Sequence, residues 1–415
     1  MGPMSWVLAI SVALLGYTYA GYPVLIWALS RVRGRPVKKG SFEGGVAVLI
    51  AAYNEAETLP RKLENLLELA KAEPIREIWI GLDGCTDGTG ERVGEAIDRR
   101  LETRDWRREA EDPSLKSGVS SLKSAPHVHV LEFECRRGKA AVLNELMAKA
   151  TPPILAMMDA RQRVEAGAIS KLLANFADPQ VGAVSGALVY ESAESGAQKS
   201  AESYWGYEKF IRRCESRFWA VPGATGALYA IRRELCRPIP ENTLVDDVVI
   251  PMRAILGGYR CLFEPSARVF DLPTTDFGQE NLRKRRTLAG IWQIMRLEPA
   301  IYCVFRNPIW FQWISHKFLR LLTPFLVFLA IFSLGWMARG GGMPQMIFWG
   351  VLAAFLASFL AFWGGKWISS RILGLLGAFF GVNWALLRAA WDAATGRFEA
   401  RWTRNLPAGE RRPFR

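Results

Sequence analysis

VAVLIAAYNEAETLPRKLENLLELAKAEPIREIWIGLDGCTDGTG, residues 46–90, is the stretch whose reading decides the fold. Val46 to Ala51 is an apolar run of strand length that gives way to the polar Asn54 and Glu55. A polar helix begins near Glu57, a second strand runs from Glu77 to Leu82, and a Gly/Asp turn follows. Strand, helix and strand in that order predict a βαβ unit.

Outward from that unit the alternation continues. A strand is expected at Val128 to Phe133, a helix at Lys139 to Lys149 and a strand at Ile154 to Met158. A helix at Ala168 to Phe176 and a strand at Val181 to Ser185 follow. The fold class is therefore α/β, a Rossmann-like sandwich with a mostly parallel sheet. Asp105 to Pro126 is rich in Ser, Lys, Arg and Glu without apolar period, and reads as a long surface insertion.

In such sheets ligands sit beyond the carboxyl ends of the strands, so acids that end apolar strands are the first candidates for chemistry. Asn54 and Glu55 follow the first strand, Asp83 and Asp87 the second, and Asp159 ends Ile154 to Met158. Each alone is more often a helix cap or turn residue. Gathered at one sheet edge, carboxylates repel one another, a cost that is tolerable where they hold a metal, ribose hydroxyls or a base.

The flanks read differently. Trp6 to Leu29 is almost uncharged and long enough to span a bilayer, and the basic cluster Arg31, Arg33, Arg35, Lys38, Lys39 follows it. A cleaved signal peptide would carry its basic residues first, so this is read as a true span that leaves the next domain cytosolic. Further apolar runs occupy Phe318 to Met337, Met346 to Trp363 and Ile368 to Leu387. Two of them read as spans. If all three crossed, the Arg-rich tail from Arg397 would lie outside against the positive-inside rule; either one run lies in the interface or the charge bias is overridden. Arg283 to Arg320 mixes basic residues with Trp292, Trp310, Phe311 and Trp313, the pattern of helices lying along a membrane surface, with an ordinary amphipathic core helix as the alternative.

Composition agrees with a catalytic domain plus membrane. Half of the 415 residues are hydrophobic, with 16 Trp and 22 Phe, more rings than a soluble core alone calls for. Fifty-three Lys and Arg against 40 Asp and Glu leave +13, which suits an anionic lipid surface or a phosphate-bearing substrate; nucleic acid is set aside as a partner. The six cysteines are scattered with no CxxC pair, and read as reduced and structural.

At the strand ends the sequence resembles family 2 glycosyltransferases of the GT-A fold, and within them the membrane-integrated branch that includes polysaccharide synthases. The resemblance runs from about Val46 to Gly290. Ala51-Ala52-Tyr53-Asn54-Glu55 is similar to the family's first nucleotide-binding segment, and Asp83-Gly84-Cys85-Thr86-Asp87 to its Asp-Gly-Ser-x-Asp turn, with Cys85 for Ser. These imply uracil and ribose contacts for Ala52, Tyr53, Glu55 and Asp83. Gly138-Lys139-Ala140, continued by Asn144, resembles Gly-Lys-x-x-Ala-Leu-Asn and places Lys139 on the diphosphate as a point charge.

Met158-Asp159-Ala160-Arg161 falls where the family carries Asp-x-Asp, whose acids hold Mg²⁺ or Mn²⁺ against the phosphates. Arg161 replaces the second acid; losing an oxygen ligand weakens a hard-cation site, whereas an Arg neutralises phosphate directly. Asp159 stays the expected metal and ribose residue. Thr243-Leu244-Val245-Asp246-Asp247 resembles the Glu-Asp or Asp-Asp motif, which implies Asp247 as general base, with Asp246 in second place. Pro222-Gly223-Ala224-Thr225-Gly226 looks like the loop bordering the acceptor. Where synthases carry Gln-x-x-Arg-Trp, this chain has Arg283-Lys284-Arg285-Arg286-Thr287, without Gln or Trp; Arg286 is expected on the diphosphate and Arg283 on the acceptor side.

The resemblance implies an integral membrane enzyme divided into an N-terminal span (1–30), a basic linker (31–42), a cytosolic GT-A domain (43–280), interface helices (281–317), a C-terminal membrane region of two or three segments (318–390) and a basic tail (391–415). The expected reaction is inverting transfer from a nucleotide-diphosphate sugar, a UDP-sugar first, to a membrane-proximal polysaccharide or lipid-linked glycan. Single addition to a polyprenyl phosphate or other lipid is the alternative. An inactive nucleotide-sugar-binding scaffold with a secretion or export partner is the second.

Overall fold

The computed structural model describes residues 2–101, 125–191, 196–271, 277–363 and 371–396. The expected insertion at 105–126, except its last two residues, and the basic tail from 397 onward lie outside these residues.

The chain forms two compact units. One contains 35–192 and 219–273 and is built on an eight-stranded sheet. Its strands are β1 (Val46–Ala52), β2 (Ile75–Asp83), β3 (His127–Phe133), β4 (Ile154–Met157), β5 (Arg163–Val164), β6 (Val181–Tyr190), β7 (Tyr229–Arg232) and β8 (Arg260–Asp271). Their order is β3-β2-β1-β4-β7-β6-β8-β5. β1 lies parallel between β2 and β4, as the βαβ reading requires, and β6 pairs parallel with β8. Only β7 and β5 run against the rest.

The reversal at β7 matters for function. Tyr229 at its start pairs with Met157 at the end of β4, so the loop that precedes β7 reaches the carboxyl edge of the sheet beside Asp159. β1 is buried along its whole length, as a strand covered on both faces must be, which explains a continuous apolar run rather than alternation. On one face Leu59, Leu63, Leu66 and Leu67 of the helix Leu59–Ala70 join Val46, Val48 and Ile50 in the core. On the other, the helix Lys139–Lys149 sits close over β2 because residue 81 is Gly; a Cβ there would stand 2.3 Å from a Val142 methyl.

The second unit contains 1–34, 193–218 and 274–398. It interrupts the continuous 43–280 domain expected from the sequence, because the helix Gly196–Phe218 packs with the helix Tyr22–Val32 through Ile211 and Cys214 against Tyr22 and Ile26. Pro3–Val32 is one 30-residue helix long and apolar enough to cross a membrane. It carries a π-helical turn at Tyr17–Gly21 just before Pro23, whose ring and missing N–H disturb the preceding turn. Met343–Trp363 is the second such helix. Trp310–Leu321 and Thr323–Ala338 pass the same test only as a pair bent by 60°, with Pro324 at the break. The third apolar run lies in the helix Arg371–Thr395, where Asp392 is buried and paired with Arg285 of the helix Phe277–Leu297.

This unit also holds a buried ionic chain that hydropathy does not signal. His316 Nδ1 lies 2.8 Å from Glu215 Oε1, and its Nε2 lies 3.1 Å from Glu208 Oε1. The Tyr22 hydroxyl donates to Glu215 at 2.6 Å, and Arg320 reaches Glu208 at 2.7 Å. The chain ties the N-terminal helix, Gly196–Phe218 and the 313–321 segment together.

Candidate active site

Two loops meet beyond β1 and β2. Asn54 adopts a left-handed backbone, φ 51°, which Asn tolerates better than most residues. Its Oδ1 accepts the Thr86 N–H at 2.9 Å. Asp87 accepts the N–H of Ala56 and of Thr89, each at 3.1 Å, and Thr89 Oγ1 accepts the Glu55 N–H at 3.1 Å. Asn54 and Asp87 are thus the stitching between the loops. Tyr53 ends the first loop with its ring 4.0 Å from the Arg136 guanidinium, a cation–π contact worth about 1–2 kcal/mol when partly desolvated. Ala52 is buried and Glu55 half-buried.

Asp83 is 1% exposed, and both its oxygens are occupied: Oδ1 by the Arg137 N–H at 2.6 Å and Oδ2 by the Gly138 N–H at 2.9 Å. It therefore fixes the entry to the helix Lys139–Lys149. Gly84 adopts φ +63°, and a Cβ there would press within 2.8–2.9 Å of the Cys135–Arg136 backbone. The two turns could not approach with any other residue at 84.

The centre lies beyond β4. Lys139, 14% exposed, places its Nζ 2.9 Å from Asp159 Oδ1 and 3.1 Å from Asp246 Oδ1. Asp246 and Asp247 open the helix Asp246–Leu256, an end whose dipole favours negative charge. Asp247 Oδ2 accepts the Gly226 N–H at 2.8 Å, and its backbone carbonyl accepts the Ala224 N–H at 2.8 Å. Asp159 donates its own N–H to the Gly226 carbonyl at 3.0 Å. A Cβ on Gly226 would stand 3.4 Å from carboxylate oxygens of both Asp159 and Asp247. The 222–226 loop thus brings the two acids to one bare stretch of backbone.

The charges differ in state. Burial pushes Asp247 up, the neighbouring Asp246 adds to it, and Lys139 offsets only part, so its carboxyl titrates at about 6. Burial alone would lower Lys139, but Asp159, Asp246 and Asp247 override it and hold its ammonium above its ordinary value. Tyr229, at the start of β7, is fully buried, and among the described residues neither its hydroxyl nor Asp246 Oδ2 has a hydrogen-bond partner.

Of the expected residues, Ala52, Tyr53, Glu55, Asp83, Lys139, Asp159, Arg161, Asp246, Asp247 and Gly223 to Gly226 all belong to the sheet unit. Lys139, Asp159, Asp246, Asp247 and Gly226 share one cluster. Arg161 is half-buried and forms no ion pair or hydrogen bond with a described residue. Arg283 and Arg286 lie on the helix Phe277–Leu297 of the other unit, both half-buried.

Among the described residues no group of three or more His, Cys, Asp or Glu is arranged to hold a metal ion. Asp159 is 35% exposed although paired with Lys139, so it fits a divalent ion as a single protein ligand. The sequence missed Lys62, buried beneath this region, and Tyr229; for Lys62 there was a signal, a lysine at the apolar spacing of Leu59, Leu63 and Leu66.

The model of glycosyl transferase family 2 matches residues 47–239, and that of glycosyl transferase family group 2 matches residues 154–396. The chain belongs to this glycosyltransferase family. The poly-β-1,6-N-acetyl-D-glucosamine synthase of Staphylococcus aureus (strain COL) is 24% identical over 255 residues, 60% of this chain and 52% of that protein. The synthase of the same name from Staphylococcus epidermidis matches to the same extent. The alignment thus spans about half the length of these relatives. Among solved structures, a mannosyltransferase from Pyrobaculum calidifontis, in complex with GDP-Man and Mn²⁺, superposes with a TM-score of 0.68 at 22% identity, covering 94% of this chain and 100% of that one. At that identity the likeness establishes the shared GT-A fold.

Proposed function

We propose that this enzyme transfers a sugar from a nucleotide-diphosphate sugar, a UDP-sugar first, to a polysaccharide or lipid-linked glycan at a membrane, with inversion. The observation that carries the reading is the cluster at Gly226, where Asp247 stands partly exposed and Asp246 is spent on Lys139. A base must be ionised yet able to take a proton near neutral pH, and a carboxyl at about 6 meets both needs. Asp247 is therefore the base, and Asp246 holds Lys139.

In the reaction, the acceptor hydroxyl oxygen bonds to the anomeric carbon opposite the diphosphate. The carbon–oxygen bond to the diphosphate breaks with its electron pair leaving on the nucleotide, and Asp247 takes the hydroxyl proton. Lys139 faces the leaving charge, and Arg161 is the further cation of the sheet unit assigned to it. Tyr53, backed by Arg136, and the 52–55 segment form the base and ribose side. Gly223 to Gly226 form the acceptor side. A Mg²⁺ or Mn²⁺ ion held by Asp159 would supply positive charge against the diphosphate.

The candidate spans support a bacterial-type inner or plasma membrane location with a cytosolic sheet unit. The relatives' names support a polysaccharide acceptor. Single addition to a polyprenyl phosphate or other lipid is the second reading; the Arg283-to-Thr287 run, which lacks the aromatic ring that would stack on a growing chain, favours it. An export partner belongs to the inactive-scaffold alternative, which the retained Asp159, Lys139 and Asp247 oppose.

The test is nucleotide release by the detergent- or nanodisc-held protein across a panel of UDP-sugars and GDP-mannose, with membrane lipid extract and with or without EDTA. Release of UDP from one donor is expected. Binding of nucleotide sugar without turnover of any would move the scaffold reading to the front.

A further inference from the structure

Lys62 is a buried lysine of the sheet unit. It projects from the helix Leu59–Ala70 into the core and is 3% exposed, among Leu59, Leu63 and Leu66. It forms no ion pair with a described residue, and its Nζ donates to the backbone carbonyl of Gln162 at 2.7 Å. A buried lysine without a carboxylate partner is costly, and such a cost persists where the charge has work to do.

That work concerns the turn after β4. Asn65, one turn along the same helix, accepts the Val164 N–H at 2.8 Å and donates to the Val164 carbonyl at 3.2 Å. Gln162 Nε2 donates to Asp271, at the end of β8, at 2.9 Å. The 159–164 segment is thereby held from beneath by Lys62 and Asn65 and from the side by Asp271. Arg161, between these anchors, has no such bond and stays half-buried. The two carboxylates that act on Lys62 through space are Asp159, beyond β4, and Asp271; on its own helix Arg61 is exposed and Glu64 half-buried. Arg163, on β5, turns away to Glu191.

We propose that Lys62 is a positioning residue for donor binding. It fixes the Asp159–Gln162 turn from below, so that Asp159 and Arg161 meet the diphosphate in one arrangement, and its buried positive charge is balanced when the diphosphate arrives. The inference rests on the donor-site reading above and adds a residue to it. Burial lowers Lys62 to about 7 although Asp159 and Asp271 oppose it, so near neutral pH an arriving anion draws a proton onto it.

The experiment is calorimetric binding of UDP and of GDP to the full-length protein in detergent, in two buffers of different ionisation enthalpy at pH 7.5. Wild type is compared with Lys62→Met, which keeps the volume, and with Asn65→Leu, which loosens the same turn without removing charge. Wild type should bind one nucleotide with proton uptake. Lys62→Met should bind it about tenfold more weakly, the equivalent of one hydrogen bond to a charged group, and without that uptake. Asn65→Leu should keep the uptake. A Lys62→Met protein that is folded by thermal melting and binds with wild-type affinity and proton uptake overturns the proposal. Lys62→Met and Asn65→Leu behaving alike in both readouts reduces Lys62 to a structural bond. No binding of either nucleotide by wild type overturns the donor reading with it.

Discussion

Asp247→Asn separates chemistry from architecture, because the carboxamide oxygen can still accept the Gly226 N–H that the carboxylate accepts at 2.8 Å. The loop and the helix start stay in place, and only the proton acceptor is lost. General-base removal costs about 10²–10⁴-fold in rate, so kcat should fall by that factor while donor KM moves little. The wild-type pH profile carries a second magnitude. With Asp247 titrating at about 6, about 90% of it is ionised at pH 7 and about 10% at pH 5, so kcat should drop about ninefold between them. The acid limb should be absent from the residual activity of Asp247→Asn. Stability should move the other way. A carboxyl whose folded pKa lies above its unfolded value holds a proton more tightly when folded, so it costs stability increasingly as pH rises from about 4 to about 6 and by a constant amount above that. The substitution removes that penalty, up to about 3 kcal/mol with the attraction to Lys139 already included, and thermal melts at pH 8 should show a variant at least as stable as wild type. UDP release by Asp247→Asn within threefold of wild type, with the acid limb intact, would refute the assignment.

Two further substitutions probe the same cluster. Gly226→Ala places a methyl 3.4 Å from both Asp159 and Asp247, in the space where acceptor and donor must meet; turnover should fall tenfold or more with a melting temperature within a few degrees of wild type, and an unchanged kcat/KM would mean that nothing reacts over Gly226. Lys139→Met removes the cation that offsets the acids, so Asp247 should titrate above 6 and nucleotide binding should weaken by at least tenfold, read from the pH–rate profile and from UDP calorimetry.

Much of the sheet was legible because β1, β2 and β4 are buried on both faces and so appear as largely unbroken apolar runs. β1, β2, β3 and β4 fall within two residues of where hydrophobicity places them, and the helix Lys139–Lys149 falls on its expected bounds. β8 was not legible: Arg260 to Glu264 is buried throughout although it begins and ends on a charged residue, Pro265 and Ser266 interrupt it, and its pairing with β6 is set by tertiary register rather than by composition. The helix Gly196–Phe218 was missed for a related reason, because Ile211 and Cys214 pack on the N-terminal helix while Glu208 and Glu215 of the same helix are buried against His316, so its buried side is not marked by hydrophobicity. At the site Asp83, Asp87 and Asp159 were legible as strand-end residues and Asp246 and Asp247 through the family resemblance, but the division of labour between the last two was not. Nothing in Asp246-Asp247 as a pair says which faces Lys139 and which faces Gly226; the first turn of the helix Asp246–Leu256 decides it. Likewise Asp83, expected against ribose, has both oxygens engaged by backbone, a fact about the 136–138 turn rather than about residue 83.

The balance of charge in the cluster sets what the donor must bring with it. Asp159, Asp246 and Asp247 face a single ammonium, Lys139, so the site carries more negative than positive charge whenever Asp247 is ionised. A diphosphate adds two further negative charges, and two like charges 4 Å apart repel by about 4 kcal/mol even at an effective dielectric of 20. Binding therefore requires compensation beyond Lys139. Three sources are available at or beneath the turn after β4: Arg161 at the place of a second metal acid, Lys62 on the helix below it, and an ion that Asp159 would hold. Arg161 and an ion on Asp159 differ in one respect that a chelator reads directly. If Arg161 carries the compensation, donor binding survives EDTA and weakens on Arg161→Ala; if the ion carries it, EDTA abolishes binding and Arg161→Ala does little. The substitution of Arg for the second acid is then either the replacement of a metal ligand by a fixed cation or its supplement, and the ratio of the two losses in affinity says which.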